Sequence, residues 1–206
     1  MTVRQVTNGR LRHQNIPWNE PMKNTSRRIL MAAVILALMA AGSSRAIAQV
    51  TATGFVVSHK VSVRTTPTRA YDALVKQVGL WWSPDHTFSG DSRNLSIDAH
   101  PGGCFCEKLP KGGGVEHLRV VYAAPGEILR MSGALGPLQA SGVAGSLTWT
   151  LTASPDGATI ELSYAVGGFI QGGFERIAPA VETVLGEQLQ RLKLFIETGK
   201  PAEDGR

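Results

Sequence analysis

The sequence predicts an α+β domain: one long C-terminal helix across the concave face of a curved antiparallel sheet of about seven strands. Three observations predict it. Residues 54–63 (GFVVSHKVSV) alternate, with Val57, His59, Val61 and Val63 on one side, as a first strand does. Six strand-like runs then follow between residues 95 and 166, separated by "HPGG", "PKGGG", "APGE", "GALGP" and "SPDG". Finally, residues 174–198 switch to a helical period. A lone amphipathic helix and a one-sided sheet bury their apolar faces most economically against each other, leaving room for a cavity between them.

The elements follow in order. After the first strand, "TTPTRAYDALVKQVG" begins with Thr66 as an N-cap and Pro67 at the first helical position, and Gly79 ends the turn. Ala70, Leu74 and Val78 form one face of this short helix. A polar connection, "LWWSPDHTFSGDSRN", carries Trp81 and Trp82. The strands expected next are 95–99, 103–109, 115–123, 128–132, 145–153 and 159–166. In the last segment Ile177, Val181, Val184, Leu185, Leu189, Leu192, Phe195 and Ile196 recur at three- and four-residue steps. Gly199 and Pro201 close that helix.

The front of the chain reads differently. From Met22, Lys23, Arg27 and Arg28 precede an apolar run of 13 residues, Ile29 to Ala41, and a small-residue site at Ala46-Ile47-Ala48. This is the layout of a secretory signal peptide cleaved after Ala48. Thirteen helical residues span about 20 Å, short of a hydrocarbon core of about 30 Å, so no stable membrane anchor is expected after cleavage. Residues 1–21 show no periodicity and are read as upstream of the true start. The expected organisation is therefore 1–21 upstream, 22–48 leader and 49–206 a single domain. The periplasm is the expected location.

Charge supports this division. The whole chain carries 21 Lys/Arg and 16 Asp/Glu, but seven of the former and one of the latter precede Gln49. The remainder holds 14 basic and 15 acidic residues, a net charge of −1. The basicity belongs to the leader, which removes the electrostatic footprint of a nucleic-acid binder.

In this order, "VSVRTTPTRAYDALV", the "WW" pair, "PGGCFCE", "YAAPGEILRMSG" and "LTWTLTASPDGATIELSY" followed by a final helix resemble the START/Bet v 1-like SRPBCC superfamily. Within it the similarity is to the branch of Hsp90-ATPase-activator homologues and polyketide-cyclase-like proteins. The resemblance implies a helix-grip fold, often enclosing a hydrophobic pocket. It does not fix a function. An exported chain is separated from cytosolic, ATP-dependent Hsp90, so Hsp90 is not an expected partner.

The stretch "PGGCFCEKLPKGGGVEHLRVVY", residues 101–122, holds both cysteines, one histidine and two glutamates. A hairpin closed by "PKGGG" with Lys108 opposite Val115 pairs Cys106 with His117, Glu107 with Glu116 and Phe105 with Leu118. Alternation then puts Cys104, Cys106, His117 and Arg119 on one face, and Phe105, Glu107, Leu109, Glu116, Leu118 and Val120 on the other. Four readings follow. Cys104, Cys106 and His117, completed by His86 or a carboxylate, would suit a soft metal. Glu107 or Glu116 with His86 or His117 would suit acid–base chemistry. The cysteines would also form a bridge in an oxidising compartment, although strand neighbours about 6.6 Å apart are near the limit for one. The least demanding reading is a plain hairpin with buried thiols and solvent-facing glutamates.

The expected function is binding of a small, largely hydrophobic molecule between sheet and helix, with no cofactor. Trp81, Trp82, Phe105, Met131, Trp149, Ile177, Val181, Val184 and Leu185 are candidates for wall or core. Glu107, His117 and His86 are candidates for the polar end. The alternative is a cyclase- or hydratase-like enzyme using Glu107 and His117 as acid and base.

Overall fold

The computed structural model describes residues 49–200 and residue 202. The expected upstream segment, 1–21, and the expected leader, 22–48, lie outside the described residues. The strands are β1 (Gln49–Thr51), β2 (Gly54–Val63), β3 (Leu95–Ile97), β4 (Cys104–Lys108), β5 (Gly114–Ala124), β6 (Ile128–Ser132), β7 (Gly142–Ser154) and β8 (Gly157–Phe169). The α-helices are α1 (Pro67–Lys76), α2 (Val78–Trp81) and α3 (Ala178–Thr198).

All strands among the described residues form one antiparallel sheet in the order β1-β2-β8-β7-β6-β5-β4-β3. Every neighbour is sequential except β2 beside β8. The chain leaves the sheet after β2 through α1 and α2, then re-enters at the opposite edge as β3. This is the helix-grip arrangement, with eight strands rather than about seven. The additional strand is β1, three residues folded back on β2 with Thr51 opposite Gly54.

Local chemistry sets the helix starts. Thr66 caps α1 by accepting from the Arg69 N–H, and Pro67 occupies the first turn where its missing donor costs nothing. Gly79, expected as a stop, instead lies inside α2. A Cβ there would sit 3.0 Å from the Ser92 carbonyl oxygen, so the glycine permits close approach of two backbones.

The core follows period-two alternation. In β8 the inward residues Ala158, Ile160, Leu162, Tyr164 and Val166 are all buried. They meet the α3 stripe of Leu185, Leu189, Leu192 and Phe195. Each fully buried side chain of this kind contributes about 1.5–3 kcal/mol. Where α3 crosses β2, Gly186 leaves room for His59, whose Nε2 donates to the Glu182 carbonyl at 2.9 Å.

Candidate functional site

The hairpin β4–β5 departs from simple alternation. Cys104 and Phe105 keep the expected partners, Arg119 and Leu118. Beyond them the register slips by one: Cys106 faces Glu116, Glu107 faces Val115 and Lys108 faces Gly114. His117 is the extra residue of a β-bulge, which turns its side chain to the face a regular strand would deny it. His117 and Leu118 are consequently both buried. Glu116, expected beside Glu107, is exposed and pairs with Arg119.

The cysteines correct the metal alternative. Cys104 and Cys106 form a disulfide, with a Cα separation of 5.4 Å in place of the longer spacing of a regular strand. Their thiolates are consumed, and His117 has turned inward away from them. Among the described residues no group of three or more His, Cys, Asp and Glu side chains is placed to hold a metal ion.

On the inner face, Glu107 is only 2% exposed and His117 only 4%. Glu107 Oε2 lies 2.9 Å from His117 Nε2 and accepts the Phe88 N–H at 3.0 Å. Its Oε1 accepts the Ser89 N–H at 2.5 Å. Burial alone would push the Glu107 carboxyl up. Hydrogen bonds from the Ser89 side chain, the Phe88 and Ser89 amides and His117 outweigh it, leaving the carboxyl below the ordinary carboxylate value. Burial pushes the His117 imidazole down, and Glu107 restores only part of that shift. The pair is therefore a carboxylate beside a neutral imidazole. The solvent-facing Glu107 of the plain-hairpin reading is replaced by a buried anion.

A cavity of about 360 Å³ opens beside this pair. Phe105 and Trp82 form one wall, with ring centres 5.2 Å apart at a steep angle. Ile177, Val181, Val184 and Leu185 supply the helix wall. Leu135 to Leu138 cover the third side. Tyr164 fixes that cover: its buried hydroxyl donates to the Gly133 carbonyl and accepts the Leu135 N–H, each at 3.0 Å. Gly145 makes room for the Tyr164 ring, since a Cβ there would lie 2.6 Å from it. Burial raises the Tyr164 pKa to about 12, so the phenol stays a donor.

The remaining candidates are placed as follows. His86 lines the cavity mouth and meets Glu187 at 3.3 Å. Trp81, Met131 and Trp149 lie in the core rather than on the wall. Trp81 donates to the Ala73 carbonyl at 3.1 Å and stacks edge-on with Trp149. Trp82, its ring centre 5.5 Å from that of Trp81, donates to the His86 carbonyl and reaches the cavity. Sequence reasoning missed Phe88 and Ser89, whose amides hold Glu107. Phe88 is 56% exposed yet lies against His117 at the mouth. A lone aromatic in the polar segment "DHTFSGD" is the signal that marks it.

No family model matches this chain, and no curated protein matches it. Solved structures do. A conserved protein of unknown function from Enterococcus faecalis aligns with a TM-score of 0.52 at 14% identity, over 76% of this chain and 79% of that one. An uncharacterised protein from Rhizobium leguminosarum aligns at 0.51 and 16% identity, over 73% and 98%. The Aha1 dimer from Colwellia psychrerythraea scores 0.49 at 16% identity, over 70% and 98%. The first two likenesses, at such identities, establish the fold alone.

Proposed function

We propose that this chain is an exported binding protein of the SRPBCC type that holds a small, largely hydrophobic molecule between the sheet and α3. The observation that carries the reading is the cavity: about 360 Å³, walled by Trp82, Phe105, Leu138, Val181 and Leu185, with the polar groups gathered at one end. Such a volume lies at the smaller end of ligand pockets, and few placed polar groups in apolar walls is their usual composition. The Cys104–Cys106 bridge supports export, because disulfides persist in oxidising compartments. The periplasm is the proposed location. The test is native mass spectrometry of protein purified from that compartment without reductant. A co-purifying organic mass, lost in Val181→Trp, is expected. Apo protein that also takes up no apolar probe would sink the reading.

A second reading rests on the Glu107–His117 pair. A carboxylate that orients a neutral imidazole at a cavity wall has the parts of a general base, as the cyclase- or hydratase-like alternative requires. In that case Glu107→Gln abolishes turnover while ligand affinity stays nearly unchanged. Equal turnover in that variant would remove the enzyme reading.

A further inference from the structure

His117 has two ring nitrogens, and the protein uses one of them. Nε2 faces Glu107 Oε2 at 2.9 Å. That carboxylate already accepts the Phe88 and Ser89 amides, so it offers His117 only lone pairs. Nε2 must carry the hydrogen, because the opposite tautomer would set two lone pairs against each other. Nδ1 is then a bare acceptor. It is buried and has no partner among the described residues, although His117 lines the cavity. A buried polar atom without a partner is rare enough in folded proteins to require an explanation.

The surroundings narrow what would pair with it. The imidazole lies 5.0 Å from the Phe105 ring and 5.9 Å from the Phe88 ring, and the Trp82 ring is 5.2 Å from Phe105 on the same wall. Flat aromatic walls favour a flat aromatic guest, stacked or edge-on. We infer that the site selects a hydroxyarene: an apolar aromatic skeleton bearing one hydroxyl, whose O–H donates to His117 Nδ1. Glu107 acts here as a positioning residue, since it fixes which nitrogen is the acceptor. The inference rests on the binding reading above and adds the chemical class to it.

The probes are 2-naphthol and 2-methoxynaphthalene, which share a skeleton and differ in one donor. Fluorescence titration of the purified protein is expected to show 2-naphthol bound at least about tenfold more tightly, the worth of pairing one otherwise unpaired buried acceptor. In His117→Leu the two affinities converge. Nitrogen NMR of the wild type without probe supplies a reading independent of whether that variant folds. Nδ1 is expected in the unprotonated, pyridine-like region and Nε2 in the pyrrole-like region. Equal wild-type affinities, or a hydrogen on Nδ1, overturn the inference and leave the cavity reading standing. Uptake of neither probe overturns the cavity reading itself, and this inference with it.

Discussion

Glu107 and His117 lie side by side in the interior, Oε2 to Nε2 at 2.9 Å, although unbroken alternation along β4 and β5 would put them on opposite faces of the sheet. The bulge at His117 makes the difference. It spends one residue of β5 without a partner and gains an inward imidazole. Bulges next to functional sites commonly re-aim a side chain in this way.

Glu107 is expected to be a strong stability determinant. Its two oxygens accept from Phe88, Ser89 and His117, and a glutamine has only one oxygen to offer. Glu107→Gln leaves at least one buried donor facing an amide N–H, a loss of about 1–3 kcal/mol. Urea unfolding measures it; a change within about 0.5 kcal/mol, typical of a surface site, would contradict this account of the pair.

Stability should rise with pH through the acidic range. Both groups hold folded-state pKa values below their ordinary 6.5 for His117 and 4.5 for Glu107. The unfolded chain therefore binds more protons in each window, and stability falls as pH drops through it. For His117 the loss begins below 6.5 and continues to its lowered folded value; for Glu107 it begins below 4.5. His117→Gln, which keeps a donor for Glu107 but does not titrate, is expected to remove the upper part of the slope. An unchanged profile would mean that His117 is not held neutral by the fold.

The disulfide should matter more for the shape of the site than for global stability. Its ring closes across a single intervening residue, so the loop-closure contribution is at most about 2 kcal/mol. It does, however, hold β4 contracted where β5 carries its extra residue: Cys104 and Cys106 face Arg119 and Glu116, two steps against three. Cys104→Ser with Cys106→Ser should stay folded while the ring resonances of His117 shift and those of distant His59 do not. Identical His117 spectra would show that the bulge stands without the bridge.

The two halves of α3 should respond differently to substitution. Leu189 is fully buried in the core half, and Leu189→Ala is expected to cost about 2–5 kcal/mol. Val181 is half-buried on the cavity wall, so Val181→Trp should fill the cavity and block probe uptake at a much smaller cost in stability. If Val181→Trp binds an apolar probe as well as the wild type does, the probe sits elsewhere.

The cover over the cavity depends on one phenol. Tyr164→Phe removes both hydrogen bonds to residues 133 and 135, for a loss of about 1–3 kcal/mol. Faster amide exchange at Leu135, with the β8 core protected as before, is the expected signature. Unchanged exchange at Leu135 would show that other contacts hold the cover.

By itself the sequence determined what depends on local periodicity. The alternation of β2 and β8, the Thr66-Pro67 helix start and the stripe from Ile177 to Phe195 were legible because each is repeated or signalled within a few residues. Together they set the α+β class and the side of each element that faces inward. The tryptophan pair was legible only halfway: both rings are buried and lie 5.5 Å apart, but which of Trp81 and Trp82 reaches the cavity depends on what α2 packs against. The site itself was decided by tertiary structure. A bulge of one residue carries no strong local signal, yet it inverts the face of every side chain beyond it, and here it brought His117 to Glu107. The amides that hold Glu107 come from residues 88 and 89, nearly twenty positions away, and only the folded sheet brings them into reach.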